Sequence, residues 1–553
     1  MIEPTVAELL ADAEPTGPRP LAELIARLSG EGRLRGARDG GRAIGPAALG
    51  GVEVRGVTDD SRAVASGTLF VAVRGLHVDG HDFVERAAAG GAAAAIVERP
   101  APDVALPQLI VEAAPAGLAS AAAWWYGDPS HELGIVGITG TDGKTTTAFL
   151  AVAALEAAGL SSGMIGTVAT KIGSTRESNP EHMTTPGAPF LQRALRAMVR
   201  AGNGAAVVET TSHGLAADRV AGIAYDVAVL TNLTHEHLEF HGSWEAYRDA
   251  KLSLFERLAQ GPSNPAKEIA ERAWPKAAIV NADDPNAGAF VGVAQEAGAR
   301  VMTYGTDPSA DVRAVRVEED AQRLRIGYEA PSGAATLDLR LAGRFNVHNG
   351  LAVVALGEVL GLDPAAVRAG LESVEGVAGR MERLEAGQPF GVVVDYAHSP
   401  ASLEKVLGLL APLAAARGGE VIAVFGSAGE RDTDKRPMMG RIAGRLCRLV
   451  VVTDEDPRGE DSQAILEAIA RGAEAAGKRR DRDLFLIADR PTAIATAFER
   501  ARPADIVLLA GKGHEQSIIG PTGPVPYDER TVALSALAAL GFTESAAPAA
   551  RAG

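Results

Sequence analysis

Residues 140 to 147 read Gly-Thr-Asp-Gly-Lys-Thr-Thr-Thr, between the apolar run Leu133–Ile138 and the Ala/Leu-rich stretch Ala148–Leu155. These types at these offsets suit phosphate chemistry. Gly140 and Gly143 let the backbone approach an anion, Lys144 supplies a point charge, and Thr145 offers a hydroxyl to Mg²⁺, with Thr141, Asp142 and Thr146 completing the loop. Five residues separate Gly137 from Gly143 where the standard Walker spacing has four, so Gly-Thr-x-Gly-Lys-Thr is the better description. A ligand-free glycine turn is the bland alternative, and a lysine with two glycines and hydroxyls at these offsets outweighs it. The loop implies triphosphate binding.

Further polar clusters follow apolar runs. Glu209-Thr-Thr-Ser-His213 follows Ala205–Val208, and Thr231 to His241, with three histidines or glutamates between Thr234 and Leu238, follows Val227–Leu230. Glu209 and one histidine are placed to complete a Mg²⁺ or Mn²⁺ shell begun by Thr145 and phosphate oxygens. Zinc beside an ATP loop is the less economical proposal. Lys251 lies on a helical stripe of Tyr247, Leu254, Phe255 and Leu258, and by sequence alone it reads as a solvated helix lysine. Beyond Arg380, four more clusters trail apolar runs: Asp395-Tyr-Ala-His398, Gly426 to Asp432, Asp454-Glu-Asp-Pro-Arg458 and Gly511-Lys-Gly-His-Glu515. Each alone reads as a turn. Four at one edge imply a binding face.

The elements that must position these groups alternate in type. Strand-like runs at Thr68–Val73, Ala94–Val97 and Gln108–Val111 make a first α/β unit. Leu133–Ile138, Ala205–Val208, Val227–Leu230 and Ala277–Val280 make a second. Gly391–Val394, Val421–Phe425, Leu449–Val452, Leu484–Ile487 and Ile506–Leu509 make a third. Strands alternating with helices argue parallel sheets covered on both faces, with ligands beyond the carboxyl ends of the strands. Residues 1–50, rich in Ala, Arg, Gly and Pro with one amphipathic stretch at Leu21–Leu28, are expected to be a mobile extension, as is the tail from Ala546. The expected domains are 51–132, 133–376 and 377–545.

A chain of 553 residues exceeds one ordinary core, and 46% hydrophobic content suffices for several. No window approaches the roughly 18–20 apolar residues of a membrane span, and the start Met-Ile-Glu-Pro does not resemble a signal peptide. A cytoplasmic protein is expected. Cys447 is the single cysteine, which excludes an intrachain disulfide and a cysteine-based zinc site. A net charge of −16 opposes non-specific binding to nucleic acid or an anionic membrane, so the expected partners are small molecules.

From about Val57 to Ser517 the ordered motifs resemble those of the Mur ligases, and within them the MurE type. The matching residues are Asp60-Ser-Arg62, Asp79-Gly-His81, Gly140–Thr146, Thr184-Thr-Pro186, Glu209–His213 with Arg219, Asn232 to His241, Tyr247–Lys251, Phe345–Asn349, Gly379–Glu382, Asp395–His398 and Gly511–Glu515. The resemblance implies a three-domain α/β architecture: a UDP-substrate domain, a central P-loop ATPase-type parallel sheet, and a Rossmann-like C-terminal domain that brings the amino acid. It implies an ATP-dependent ligase, needing ATP and Mg²⁺, that adds an amino acid to UDP-N-acetylmuramoyl-L-Ala-D-Glu through an acyl phosphate in peptidoglycan precursor synthesis. By resemblance, Lys144, Glu209, His237 and Lys251 are catalytic, with Thr145, Glu209, His237 and a carbamylated Lys251 serving metal. Asn349, Arg380 and Asp395 join the loop in holding nucleotide. Ser61, Thr184, Thr185, Thr211 and Arg219 match contacts to the UDP-muramoyl dipeptide. Arg431, Gly511 and Glu515 match positions for the α-amino-acid end, and Glu455, Asp456, Pro457 and Arg458 stand where diaminopimelate-adding enzymes read Asp-Asn-Pro-Arg.

Some positions depart from that pattern. Asp142 stands for an Asn, Thr211 for a serine and Ala217 for a glutamine. Arg458 can hold a distal carboxylate in bidentate fashion, which favours meso-diaminopimelate over lysine or ornithine, whereas Glu455 and Asp456 can neutralise it or receive an ammonium instead. A folylpolyglutamate or cyanophycin-type ligase shares the loop but lacks the Asp60–Arg62 domain, and a non-catalytic nucleotide-binding regulator would not need Lys144, Glu209, His237 and Lys251 together. A monomer is expected.

Overall fold

The computed structural model describes residues 3–543 apart from 76–77, 180, 182, 235–237, 260–266, 270–271, 320–322 and 342. The chain divides into two compact units, the second formed mainly by residues from Glu375 onward, with 319–323 and 340–343.

The first unit holds two sheets. Helix α1 (Val6–Asp12) opens it, capped by Thr5, whose hydroxyl receives Glu8 N while the Glu8 carboxylate receives Thr5 N. Its Val6 and Leu10, with Ala13, are buried among Phe190, Leu191 and Ala194. Helix α2 (Leu21–Gly30) buries Leu21, Leu24, Ile25 and Leu28, the i, i+3, i+4, i+7 stripe of an amphipathic helix, against Leu118, Ala122 and Trp125 of α3 (Ala114–Trp125). Strands β1 (Leu34–Asp39) and β2 (Arg42–Ile44) form a hairpin whose two-residue turn, Gly40-Gly41, has the positive φ at both positions that such turns demand. With β3 (Gly56–Thr58), β4 (Thr68–Val71), β5 (Ala94–Val97) and β6 (Gln108–Val111) they make a six-stranded sheet of order β2-β1-β6-β5-β4-β3. The expectation of a mobile extension over residues 1–50 is therefore corrected. Its apolar residues are few but periodic, and they fill the cores of both sheets; the tail 544–553 lies outside the described residues.

The second sheet has eleven strands: β7 (Gly134–Thr139), β8 (Ser162–Ile165), β9 (Ala169–Ile172), β10 (Thr175–Ser178), β11 (Ala205–Glu209), β12 (Val227–Leu230), β13 (Ala277–Asn281), β14 (Arg300–Gly305), β15 (Val312–Glu319), β16 (Leu324–Ala330) and β17 (Gly333–Leu339). Their order is β10-β9-β8-β11-β7-β12-β13-β14-β15-β16-β17, with the run from β8 to β15 parallel. Fully buried β7 lies between β11 and β12, in a register that sets Ile138 beside Glu209 and Thr139 beside Leu230. The helices of this unit include α4 (Lys144–Ala157), α5 (Ala188–Arg200), α6 (Trp244–Glu256) and α7 (Phe345–Leu360).

The second unit is built on a six-stranded sheet of order β18-β19-β23-β20-β21-β22, comprising β18 (Glu382–Leu384), β19 (Gly391–Asp395), β20 (Val421–Phe425), β21 (Leu449–Val452), β22 (Leu484–Leu486) and β23 (Ile506–Ala510). All pairs are parallel except β18 with β19. A hairpin of β24 (Ser517–Gly520) and β25 (Gly523–Pro526) follows, with α8 (Arg490–Glu499) and α9 (Glu529–Ala539) packed together on one side. Among the described residues no helix is long and apolar enough to cross a membrane.

Candidate active site

The loop 140–143 carries the chain from β7 into α4. Gly140 (φ 145°) and Gly143 (φ 83°) adopt backbone that L side chains rarely take. A Cβ on Gly140 would fall 1.9 Å from Thr231 Oγ1, and one on Gly143 2.4 Å from Asn349 Oδ1. The residues after β12 grip the loop. Asn232 O accepts from Thr141 N at 2.7 Å, its side chain accepts from Asp142 N at 3.1 Å and donates to Asp142 O at 3.0 Å, and Thr231 Oγ1 donates to Asp142 O at 2.6 Å. Asp142 is thus fixed by its backbone, which a change of side chain from Asn leaves intact.

Two lysines converge on one carbonyl. Lys144 Nζ donates to Gly140 O and Thr141 O, each at 2.9 Å, and Lys251 Nζ donates to Gly140 O at 2.7 Å. Lys251 is 2% exposed and lies 4.7 Å from the Tyr247 ring centroid. The sequence-only reading of a solvated lysine fails because α6 turns Tyr247, Lys251, Leu254 and Phe255 inward together.

Glu209, at the end of β11, is fully buried. Its Oε2 accepts from Thr145 Oγ1 at 2.9 Å and Thr167 Oγ1 at 3.0 Å, and its Oε1 from Thr167 N at 3.0 Å. Thr167, absent from the sequence reading, links this carboxylate to Thr184, Oγ1 to Oγ1 at 2.9 Å. Thr185 Oγ1 donates to Glu209 O at 2.8 Å and accepts from Thr211 N and Thr211 Oγ1 at 3.0 Å, while Arg219 Nη1 donates to Thr185 O at 2.9 Å. Burial lowers the Arg219 pKa, and Asp59, two residues before Ser61, opposes that shift. Burial raises the Asp59 carboxyl above the usual carboxylate range, the Asp60 charge adds to it, and Arg219 opposes. The UDP-substrate candidates on the two sheets are therefore within electrostatic reach of one another. On α7, Asn349 accepts from Thr147 Oγ1 at 3.2 Å. His213 stacks on Phe240 at 4.1 Å within an aromatic group that includes His241, and His237 lies outside the described residues.

In the second unit, Arg380 lies over the Tyr396 ring at 5.1 Å, and the Asp395 carboxylate receives Met381 N at 2.8 Å and Ala397 N at 2.9 Å. Gly511, after β23, donates its N–H to Asp395 O at 3.1 Å, and a Cβ there would stand 3.0 Å from Glu455 Oε2. Asp456 Oδ1 accepts from Lys512 Nζ at 2.8 Å and from Ile519 N at 2.9 Å, and Lys512 Nζ also reaches Glu515 Oε2 at 2.5 Å. Arg458, after Pro457, has left-handed backbone (φ 54°), its N–H is held by Ile519 O at 2.8 Å, and its buried Nε has no hydrogen-bond partner among the described residues. Glu455 is 6% exposed, with Oε2 unpartnered among the described residues; burial pushes its pKa up, against the pull of Lys435 and Lys512. Arg431 is exposed. Of the seven described non-glycine residues with positive φ, four are at or beside a candidate arginine: Asp218 before Arg219, Met381 after Arg380, Glu430 before Arg431, and Arg458 itself. Backbone strain of this kind, about 1–3 kcal/mol each, gathers where side chains must be aimed.

Known proteins resemble this chain in sequence and fold. Residues 138–357 match the Mur ligase middle domain, 379–513 the Mur ligase glutamate ligase domain, and 53–119 the Mur ligase family catalytic domain. The UDP-N-acetylmuramyl-tripeptide synthetase of Roseiflexus sp. (strain RS-1) is 52% identical over 494 residues, 89% of this chain and 96% of that protein. This chain belongs to the Mur ligase family. The UDP-N-acetylmuramoyl-L-alanyl-D-glutamate–2,6-diaminopimelate ligase of Geobacter metallireducens is 40% identical, covering 88% of this chain and 96% of that one. A solved 2,6-diaminopimelate ligase of the same name is 30% identical, with a TM-score of 0.60 over 89% of this chain and 96% of that structure.

As a Mur ligase the chain is an ATP-dependent ligase with the three-domain α/β architecture of its family. The match at 53–119 covers the Asp60–Arg62 domain that a folylpolyglutamate-type ligase lacks. Within the first unit the fold brings Gly140, Lys144, Thr145, Glu209, Lys251 and Asn349 to one end of β7. Within the second it gathers Asp395, Glu455, Asp456, Gly511 and Glu515, with Arg458 held beside Asp456 through Ile519. Thr167 was missed because a lone threonine after a short strand carries no sequence signal; Lys512 was passed over within Gly511–Glu515.

Proposed function

We propose that this Mur ligase joins meso-2,6-diaminopimelate to the D-Glu carboxylate of UDP-N-acetylmuramoyl-L-Ala-D-Glu in peptidoglycan precursor synthesis. A D-Glu carboxylate oxygen attacks the γ-phosphorus of ATP and ADP leaves; the amine of the amino acid then attacks the acyl carbon, and phosphate departs with the C–O electron pair. Two negatively charged reactants must meet, so cations are needed. Lys144 and Lys251 sit on loop carbonyls within the first turn of the phosphate-binding element, where Lys144 can exchange those carbonyls for phosphate oxygens. The donors at Thr145 and Glu209 are hard oxygens, a set that suits Mg²⁺, with His237 and a carbamate on Lys251 as the further expected ligands. When bound, Mg²⁺ supplies charge neutralisation between the phosphates and the incoming carboxylate. Thr184, Thr185, Thr211 and Arg219, with Ser61, would hold the UDP-muramoyl dipeptide, and Asn349, Arg380 and Asp395 the nucleotide.

The observation that supports diaminopimelate is the pair of unmatched groups in one loop. Among the described residues, Arg458 has a buried Nε without a partner and Glu455 a buried oxygen without one. A guanidinium and a carboxylate together fit an amino-acid head group, and diaminopimelate presents one at each end. Lysine or ornithine would fill the carboxylate's need and leave the guanidinium empty. Relatives named as diaminopimelate ligases agree with this reading. A cytoplasmic monomer is the expected form, ATP and a UDP-linked acceptor being cytoplasmic reactants, and sedimentation will check the oligomeric state. The deciding experiment is ligation of UDP-N-acetylmuramoyl-L-Ala-D-Glu with meso-diaminopimelate, lysine and ornithine in parallel. A higher kcat/KM for lysine or ornithine sinks the assignment.

A further inference from the structure

Lys512 is fully buried and holds two carboxylates at once, Asp456 at 2.8 Å and Glu515 at 2.5 Å. Asp456 is also pinned by Ile519 N, the same residue whose carbonyl fixes Arg458 N, so Asp456 and Arg458 are locked to one point of the β24–β25 hairpin. Two residues apart and so anchored, they would be expected to pair. Among the described residues they do not: Arg458 has no ion pair, while Asp456 is committed to Lys512. The acid standing where diaminopimelate-adding enzymes carry an Asn is therefore cancelled from behind.

We infer that Lys512 sets the specificity of the amino-acid site: by holding Asp456 and Glu515 in ion pairs it leaves Arg458 the unmatched cation, and so selects a substrate whose distal end carries a carboxylate. This rests on the reading of the amino-acid site given above. Lys512 acts through its neighbours and is a positioning residue. Without it, the buried Asp456 and the half-buried Glu515 would turn to Arg458 or recruit an ammonium, and the Coulomb preference would swing from carboxylate to amine.

The test reads a ratio, kcat/KM for meso-diaminopimelate over kcat/KM for L-lysine. In Lys512→Met the ratio is expected to fall at least about tenfold, because an arginine re-paired within the protein no longer rejects an end without a carboxylate. Lys512→Met combined with Asp456→Asn, which removes the cation and one anion together, is expected to recover most of that fall. Asp456→Asn alone adds a net positive charge to the site and is expected to raise the ratio by about threefold or more. A Lys512→Met protein in which both substrates lose activity together at an unchanged ratio overturns the proposal, as does a double variant no better than the single. Should Lys512→Met fail to fold, Asp456→Asn decides: an unchanged or lowered ratio overturns it. If the diaminopimelate reading itself is wrong, the wild-type ratio shows it by lying below one, before any variant is compared.

Discussion

The phosphate loop and the amino-acid loop keep their charges in opposite states. At the end of β7 the charged groups described are internally occupied: Lys144 rests on two carbonyls, Lys251 on one, and Glu209 accepts from Thr145 and Thr167. After β21 the situation reverses, with Arg458 Nε and Glu455 Oε2 buried and unmatched. A self-satisfied site must exchange partners when its ligand arrives, so its binding energy goes into rearrangement and suits a group that is to be transferred. An unmatched site carries a standing cost of roughly 1–3 kcal/mol per orphaned group, which only a complementary ligand relieves. The first arrangement favours chemistry, the second discrimination.

Substitutions can break that contrast, and the largest effect is expected at Lys144. Lys144→Ala should lower ATP-dependent ligation by at least about 10³-fold, the scale of losing a charge that stabilises the transferring phosphoryl group. Phosphate release at near wild-type rate would remove the loop from the mechanism. Lys251→Ala should be inactive and partly restored by short carboxylic acids that replace a carbamate. An unmodified amine in a ligand-bound structure would count against it. Arg458→Ala should cost diaminopimelate about 10²-fold in kcat/KM and lysine far less, since only the former loses a bidentate partner. Equal losses would mean that Arg458 does not read the distal end.

The smallest effect sharpens the comparison through stability. Burial raises the folded-state pKa of Glu455, so the native chain holds this proton more tightly than the unfolded chain does. Stability present below the unfolded carboxylate pKa is then lost as pH rises towards the folded value. Glu455→Gln should stabilise the ligand-free protein by about 1–2 kcal/mol at pH near 7 and by little at pH near 4. Thermal unfolding at the two pH values measures this. A variant less stable at neutral pH would show that the carboxylate is satisfied after all.

Much of this was legible in the chain because it is local. The phosphate loop, the strand ends and the clusters behind them sit in contiguous segments, and parallel strands place successive loops at one edge. The paired state of the charges was not legible. Whether Arg458 meets Asp456 depends on Lys512, more than fifty residues away in sequence. Arg490 likewise draws on partners distant in sequence, buried in a fork with Glu529, 39 residues on, while it supports Asp454 O and Ala510 O. Residues 1–50 were misread because low-complexity composition hid two signals: the Thr5–Glu8 capping box and the Gly40-Gly41 hairpin turn.

Helix α1 has a consequence for how the protein is made. Its seven residues are too few to persist alone in water, and the surface that buries Val6 and Leu10 includes Phe190, Leu191 and Ala194 of α5. At roughly 5–20 residues per second, a ribosome needs on the order of 10–40 s to reach α5 after finishing α1. Helix α1 must wait, tethered and unsheltered, while residues as far as α5 are made, and its apolar face is covered only when Phe190, Leu191 and Ala194 have arrived. A segment translated early thus closes the central layer late.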